Sequence, residues 1–239
     1  FWHTLFSKLG FNVRVSGESN HALYVRGQHT IPSDTACYPA KLLHGHMEEL
    51  FDHHVDYIFY PNMSYNIDEK RGNNHYNCPV VAYYPTVIRQ NVHMPKDVTY
   101  IDGFIGIHDK KEFVPHFISM MAGYGISLSK KDVQQAANAA YDAYANHMNA
   151  VRSEADRFLD IARKEGKPVI VLAGRPYHVD PEINHGISKL ICDLGGIVLT
   201  EDSLATKVLP FKTTVLNQWT YHSRLYAAAR YVATQHEIP

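Results

Sequence analysis

The sequence predicts an α/β protein made of two parallel-sheet lobes that are joined by a long helical segment. In residues 1–107, and again in 167–239, short apolar runs alternate with helical patterns, and this spacing is typical of βαβ units. Between them, 108–166 keeps a helical pattern. We therefore predict a first lobe with a candidate site in 1–107, a helical connector in 108–166 and an incomplete second lobe in 167–239.

The elements of the first lobe are predicted from apolar periods and helix breakers. Gly10 ends the first helix, because glycine readily adopts the left-handed conformation found after many helices. Residues 68–77 are polar and have no apolar period, so we expect an exposed, mobile loop there. The predicted helices are 1–9, 20–27, 38–52 and 86–91, the last beginning at Pro85, and the predicted strands are 11–15, 55–60, 80–83 and 98–101.

The connector and the second lobe are predicted in the same way. Ser129 and Asp132 form a capping-box pattern, and no helix breaker occurs from there to Gly166. A continuous helix of that length spans roughly 50 Å, which suits a brace between two lobes. Residues 168–173 form a continuous apolar run, typical of a strand buried on both faces. Further helices are predicted at 111–122, 183–194 and 215–233, and a further strand at 197–200.

Bulk composition narrows the possible functions. The 239 residues carry a formal net charge of −1 at pH 7, which gives no basis for binding nucleic acid or an anionic membrane surface. The sequence has no apolar run of membrane-spanning length. The small number of cysteines, 3, fits reduced thiols and a cytoplasmic location better than a disulfide framework. The chain lacks an initiator methionine and ends on a helical pattern followed by 237–239, so we interpret it as part of a longer polypeptide.

Cys37 lies two residues before Pro39, at the start of a predicted helix. A helix N-terminus offers free N–H groups and the positive end of the helix dipole, and both stabilise a thiolate. Cys37 is therefore a candidate metal ligand or nucleophile. The alternative is a buried cysteine that packs as a small hydrophobic residue. We predict this packing role for Cys192, which lies among apolar residues of a predicted helix.

Cys37, Asn62 and Cys78 occupy equivalent places, at the ends of predicted strands or the start of a predicted helix. Loops at the carboxyl ends of parallel strands converge, and ligands bind there. We therefore predict that these side chains cluster and form a metal site. Two kinds of site stay open, an iron–sulfur cluster and a zinc ion. The zinc alternative would recruit a nitrogen ligand from His44, His46 or His75.

Several segments of the chain carry a family resemblance. They are SDTACYPAKLLHGH at 33–46, IFYP at 58–61, NNHYNCPVV at 73–81, AGRPYHVDPEINHG at 173–186 and LTEDS at 199–203. Together they resemble the 2-hydroxyacyl-CoA dehydratase activase-related proteins, large bacterial polypeptides that join an ATP-dependent activase region to a region similar to the dehydratase subunits. The similarity covers nearly the whole chain. It maps this chain to the dehydratase-like region, since the phosphate-binding loops of the ATPase are not found in it.

The resemblance implies both a fold and a cofactor. Dehydratase subunits have tandem flavodoxin-like lobes, so the fold class becomes two flavodoxin-like or Rossmann-like parallel-sheet lobes joined by a long helical segment. These subunits hold a cysteine-bound [4Fe–4S] cluster in the cleft between the lobes, and Cys37 and Cys78 are the matching ligand positions. Related chains commonly have a cysteine after the Tyr-Pro pair, where this chain has Asn62.

The resemblance also implies a function and partners. The leading hypothesis is a dehydratase-like iron–sulfur module that transfers electrons to, or dehydrates by a radical route, an acyl-CoA-like substrate. Its partners would be the remainder of the same polypeptide, including an ATPase activase region, and a second copy of the chain. The alternatives are a non-catalytic ligand-binding or docking lobe that has lost its cluster, as Asn62 suggests, and a Cys/His zinc site. Whether the chain is an enzyme is left open.

Gly174–Asp180 is a tight loop after a predicted strand, with two possible roles. In the functional interpretation, Arg175 and the loop backbone bind an anion such as a CoA phosphate or a carboxylate. Further polar contacts would come from Tyr177, His178, Asp180 and His185. In the alternative, the loop is a proline-stiffened turn in which Arg175 pairs with Glu201 or Asp202. Lys41 is a further candidate for cofactor binding, and its alternative is a solvated surface position.

Overall fold

The computed structural model describes residues 1–235, so 236–239, the end of the predicted second lobe, lie outside the described residues. By its internal contacts the chain divides into two compact units, each with one small parallel sheet and a larger share of helix. The combination of helices with parallel strands confirms that the chain is of mixed α/β class. Unit 1 consists of Phe1–Ile67, Tyr76–Tyr141 and Pro181–Ile183, and unit 2 consists of Asp68–His75, Asp142–Asp180 and the chain from Asn184 onward.

Unit 1 is built on a two-stranded parallel sheet. Its elements are α1 (Trp2–Lys8), α2 (His21–Gly27), α3 (Tyr38–Phe51), β1 (Tyr57–Phe59), α4 (Pro79–Asn91), β2 (Thr99–Ile101), α5 (Lys110–Gly123) and the first part of α6 (Lys130–Glu165). Tyr57 of β1 lies opposite Thr99 of β2 in a parallel register. The pairing continues past β1, because the Tyr60 N–H donates to Ile101 O at 2.9 Å.

Alternate residues of the two strands face opposite cores, as the two-residue period of a strand requires. Ile58 and Tyr100 belong to a buried cluster with apolar residues of α3 and α4. Phe59 and Ile101 pack into a second cluster with residues of α1, α5 and the first part of α6. Covering both faces is typical of a parallel sheet, and it places α3 and α4 on the same face.

The segment 80–83 is helical, so the strand predicted there is wrong, and Pro85 lies inside α4 instead of starting a helix. Two adjacent valines favour a strand locally, because β-branched residues have high strand propensity. However, Ala82, Pro85 and Ile88 recur every three residues, and all are buried. Burial of this helical stripe against the sheet overrides the local preference.

The strand predicted at 11–15 is wrong as well. In the described chain this segment has no regular secondary structure, and Val15 is 72% exposed. Alternating apolar residues form a strand only where a neighbouring backbone pairs with them.

Unit 2 is built on a second two-stranded parallel sheet. Beyond α6, its elements are β3 (Val169–Leu172), α7 (Pro181–Asn184, whose start is assigned to unit 1), α8 (Ile187–Asp193), β4 (Ile197–Thr200), α9 (Glu201–Leu204) and α10 (Thr220–Thr234). Val169 lies opposite Ile197 in a parallel register. Both belong to a buried cluster with Leu159 of α6 and Tyr231 of α10. The parallel strands predicted near 168–173 and 197–200 are therefore confirmed.

Several details of unit 2 differ from the prediction. Ile170 of β3 is 44% exposed, so this strand is not buried on both faces. The predicted helix 183–194 is broken into α7 and α8, because His185 and Gly186 adopt left-handed backbones with φ of 51° and 75°. Cys192 is exposed on α8, which has no buried residue in the described chain, so its predicted packing role is wrong. The last helix begins at Thr220 instead of 215.

The long helix α6 confirms the uninterrupted helical pattern. The Asp132 N–H donates to Ser129 Oγ at 3.1 Å, and the Ser129 hydroxyl donates to the Asp132 carboxylate at 2.7 Å. Residues of α6 up to Tyr141 belong to unit 1, and those from Asp142 onward belong to unit 2. The three-part division at 107 and 166 stays a prediction. Among residues 1–235, no helix combines the length and the apolar content needed to cross a bilayer.

Candidate functional site

Cys37 and Cys78 are the N-terminal caps of two helices in unit 1. Cys37 precedes α3, Cys78 precedes α4, and each helix has a proline in its first turn. The two caps have nearly the same backbone, with φ of −64° at both and ψ of 148° and 154°. Cys37 is exposed and Cys78 is partly buried, so neither packs as a fully buried hydrophobic residue. Each sulfur therefore lies at the positive end of a helix.

Tyr60, just beyond β1, packs in the same apolar cluster as Ala40, three residues after Cys37, and Val80, two residues after Cys78. Burial raises the pKa of its phenol well above the ordinary value, and the charges of Tyr84, Cys78 and Cys37 raise it further. Both thiols are thus within electrostatic reach of one hydroxyl group. The ends of β1, α3 and α4 that carry these residues therefore meet in one part of unit 1.

A buried hydrogen bond ties α3 to α4. His44 Nε2 and Tyr84 Oη lie 2.9 Å apart, each in the second turn of its helix. His44 Nδ1 lies 2.7 Å from Thr30 Oγ1, and that hydroxyl donates to Gly27 O at 2.9 Å. Because the Thr30 proton is used on Gly27, we assign the His44 proton to Nδ1, and Nε2 accepts from the Tyr84 hydroxyl.

This bonding uses both ring nitrogens of His44, so His44 has no free lone pair for a metal. His46 Nε2 lies 3.0 Å from Ser19 Oγ, and His75 belongs to unit 2. Among residues 1–235, no group of three or more His, Cys, Asp or Glu side chains is arranged to hold a metal ion. The zinc alternative stays a prediction.

We expect His44 to make unit 1 sensitive to acid. Burial, with a smaller effect from His29, lowers the pKa of His44 from 6.5 to about 4. Between these pH values the unfolded chain binds a proton that the folded chain does not. The free energy of unfolding therefore has its full value above the pKa of the unfolded chain, 6.5. It falls by about 3 kcal/mol in total as the pH drops towards the pKa of the folded chain, about 4.

Urea unfolding at about pH 7.5 and about pH 4.5 measures this loss. His44→Gln removes the titrating group, so its free energy of unfolding should fall less between the two conditions. The same substitution at the exposed His93 is the control for losing one histidine. An equal fall in the native protein and in His44→Gln would contradict the assignment.

Asn62 is buried, and both ends of its amide are hydrogen-bonded. Its Nδ2 donates to Asp102 O, and its Oδ1 accepts from Thr86 Oγ1 at 3.3 Å. Thr86 lies eight residues beyond Cys78 on α4, roughly 12 Å along the helix axis. The Asn62 amide thus fastens the chain after β1 to α4. Metal binding by Asn62 stays a prediction, and the hydrogen bond from Thr86 occupies one of the two lone pairs of its Oδ1.

The loop after β3, in unit 2, is a hydrogen-bonded turn. The Arg175 N–H donates to His178 Nδ1 at 2.7 Å, and His178 O accepts from Asn184 Nδ2 at 2.9 Å. A Cβ at Gly174 would lie 2.4 Å from His178 Nδ1, so the close approach of the ring requires glycine there. The His178 ring therefore helps to build the turn, with its proton on Nε2.

Arg175 has no carboxylate within ion-pair distance in the part of the chain that the structure describes. Its Nη1 donates to Tyr177 Oη at 3.3 Å. The pairing with Glu201 or Asp202 that the structural alternative expects is thus not formed there. Burial and then the charge of Arg175 lower the pKa of His222, so His222 lies near this guanidinium. Sequence reasoning did not single out His222, because no local pattern links it to the loop.

The remaining binding candidates are divided between the units. Asp180 closes the turn, with its N–H donating to Tyr177 O at 3.1 Å, and His185 is exposed at the break between α7 and α8. Lys41 lies in α3 of unit 1. Of the predicted binding residues, the structure brings together Arg175, Tyr177, His178 and Asp180 in this turn.

Glu201 is a titratable group that sequence reasoning named only as a partner for Arg175. It directly follows β4 and is 3% exposed. Burial, with a further effect from the charge of Asp202, raises its pKa to about 7. A carboxyl group with such a pKa holds or releases a proton near neutral pH. This property depends on burial, which the local sequence pattern does not reveal.

The chain matches a known protein family over most of its length. Residues 1–204 match the family described as CoA enzyme activase uncharacterised domain (DUF2229). No curated protein and no solved structure matches the chain. The family match confirms the resemblance to activase-related proteins, and the segments that carry that resemblance all lie within the matched residues. The chain therefore belongs to the CoA enzyme activase uncharacterised domain family.

Proposed function

We propose that unit 1 is an iron–sulfur module of a CoA enzyme activase-related protein, with Cys37 and Cys78 as iron ligands. The observation that carries the proposal is the matched pair of cysteine caps. Two helices of unit 1 begin with a cysteine in the same backbone geometry, and both thiols act on Tyr60. Helix N-termini favour the thiolate, which is the form that binds iron. In this proposal each parallel sheet is the core of a flavodoxin-like lobe.

Unit 1 supplies about half of the ligands that an iron–sulfur cluster requires. A [4Fe–4S] cluster usually takes about four cysteine ligands, and Cys37 and Cys78 supply two thiolates. The amide of Asn62 is held by hydrogen bonds at both ends, and its neutral oxygen is a poor match to iron, which these clusters bind through thiolates. We propose that the rest of the polypeptide supplies the other ligands. When bound, the cluster supplies the one-electron chemistry that electron transfer to an acyl-CoA-like substrate, or its radical dehydration, requires.

The other residues of unit 1 hold the thiols in place and set their surroundings. The raised pKa of Tyr60 keeps its phenol protonated, so it stays a hydrogen-bond donor beside the thiols. The bond between His44 and Tyr84 holds α3 and α4 together near their N-terminal ends. That bond therefore keeps the spacing of Cys37 and Cys78 fixed.

Iron and sulfide content after anaerobic reconstitution tests the proposal. We expect the native protein to take up both, and Cys37→Ser and Cys78→Ser each to lose most of the iron, because a hydroxyl replaces a thiolate ligand. Cys192→Ser is the matched control: Cys192 is an exposed cysteine of unit 2 and should keep the native iron content. Circular dichroism establishes that each variant is folded. Equal iron in the native protein and both ligand variants would exclude these cysteines as ligands.

A second candidate function is that of a non-catalytic ligand-binding lobe. Arg175 favours it, because a half-buried guanidinium without a carboxylate partner in the described residues suits an anionic group of a CoA thioester. Calorimetric titration of CoA into iron-free protein separates the two candidates. Binding of CoA by a protein that takes up no iron under reconstitution would favour the second.

A further inference from the structure

Three of the arginines of unit 2 are Arg71, Arg152 and Arg224, and Glu69 balances the charge of one of them. Arg224 of α10 donates from Nε and Nη2 to the Glu69 carboxylate, at 3.0 and 2.6 Å. The Arg224 side chain is 5% exposed. This two-point pairing uses Glu69 as the counter-charge of Arg224.

Arg71 and Arg152 have no such carboxylate within residues 1–235. Arg71 Nη1 donates to Val208 O at 2.9 Å, and Arg152 Nη1 donates to Asn149 Oδ1 at 3.4 Å. Both acceptors are neutral. In addition, Arg152 Nε is buried and has no hydrogen-bond partner among the described residues. A buried donor without an acceptor is unfavourable, so Arg152 Nε is available to an oxygen of a ligand.

The three arginines lie on segments of unit 2 that contact one another. Arg71 Nη1 donates to Val208 O, and the neighbouring Lys207 pairs with Asp156, one turn beyond Arg152 on α6. Arg71 is two residues from Glu69 on the same loop, and Asn217 Nδ2, just before α10, donates to Arg71 O at 3.2 Å. Burial lowers the pKa of Arg71; Glu69 opposes this effect, and the charges of Arg152 and Arg224 add to it. The segment 68–77, expected to be mobile, is thus anchored to α10 through Glu69 and to Asn217 through Arg71.

Glu201 does not balance the excess charge. It lies within electrostatic reach of Arg224 and Glu69, but burial raises its pKa to about 7, so it carries at most part of a negative charge at neutral pH. Arg71 and Arg152 are therefore two cations whose charge is not fully balanced by Glu69 and Glu201.

We propose that Arg71 and Arg152 bind the phosphate group of a phosphate monoester. Such a group carries about two negative charges near neutral pH and three acceptor oxygens, so one ligand balances both cations. The guanidinium fork matches phosphate oxygens in two-point hydrogen bonds, and Arg152 Nε supplies a donor that is already buried. A single carboxylate would balance only one of the two. This site lies in unit 2 and does not depend on iron binding by unit 1.

Calorimetric titration of inorganic phosphate into the full chain tests the proposal, with chloride added to keep the ionic strength constant. We expect saturable binding, weakened by about tenfold or more in both Arg71→Gln and Arg152→Gln. Arg157→Gln is the matched control, because Arg157 lies on the same helix as Arg152 but is exposed and paired with Glu154. It should keep the native affinity. Absence of saturable binding, or equal affinity in all four proteins, would overturn the proposal.

Thermal unfolding in chloride gives a second readout. A purely structural role of the two arginines predicts that their replacement lowers the midpoint of unfolding, whereas the proposal predicts no loss. If Arg71 and Arg152 are uncompensated cations, replacing either with glutamine leaves the midpoint unchanged or raises it. Phosphate should then raise the midpoint of the native protein and of Arg157→Gln more than that of either variant. A lower midpoint in both variants, together with the native response to phosphate, would mean that these arginines serve only the fold.

Discussion

Gly45→Ala is expected to destabilise unit 1 by at least about 3 kcal/mol. At Gly45, a Cβ would lie 1.8 Å from Leu23 O, and at Gly27 it would lie 2.2 Å from Gly45 N. These neighbours are backbone atoms of α2 and α3, so they move only if the two helices separate. Urea unfolding followed by circular dichroism measures the loss. Because Cys37 caps α3, the iron content should fall as well.

The matched control for this prediction is Gly123→Ala, at the last residue of α5. A Cβ there meets nothing within 4 Å in the described chain. Alanine has the higher helix propensity, so we expect a gain of up to about 1 kcal/mol or no change. If Gly45→Ala and Gly123→Ala prove equally stable, the close approach of α2 and α3 does not control the stability of unit 1.

Glu69→Gln is expected to destabilise unit 2 by about 3 kcal/mol or more, because it leaves a buried arginine without its counter-charge. Burial lowers the pKa of Arg224, because it disfavours the charged form. The hydrogen bonds and the charge of Glu69 more than offset this effect, so the pKa of Arg224 is raised overall. The neutral amide of glutamine gives up the charge while it keeps the shape. The free energy of unfolding of the folded variant measures the effect.

An exposed ion pair provides the comparison for Glu69. Glu154 pairs with Arg157 on α6, and their side chains are 53% and 55% exposed. Glu154→Gln should therefore change the free energy of unfolding by less than about 1 kcal/mol. A loss at Glu69 no larger than the loss at Glu154 would show that Arg224 does not depend on its carboxylate.

The sequence by itself determined the elements that local signals specify. The cysteine and proline at 37–39 placed the start of α3, Ser129 and Gly166 bounded α6, and the apolar run at 197–200 coincides with β4. In each case the capping group, the breaker or the apolar period lies within the element itself. Of the candidate site, the sequence singled out both cysteines, although it placed Cys78 before a strand instead of a helix.

Only the tertiary structure decided what depends on contacts between distant parts of the chain. Burial against the sheet makes 80–83 helical, and the contacts of Asn62 with residues 86 and 102 make its amide a structural link. The neutral state of His44 and the uncompensated charge at Arg71 likewise depend on partners far away in sequence. The physical reason is that three-dimensional neighbours determine the desolvation and the hydrogen-bond partners of a side chain. A local sequence pattern encodes only the apolar period and the ends of a helix or strand.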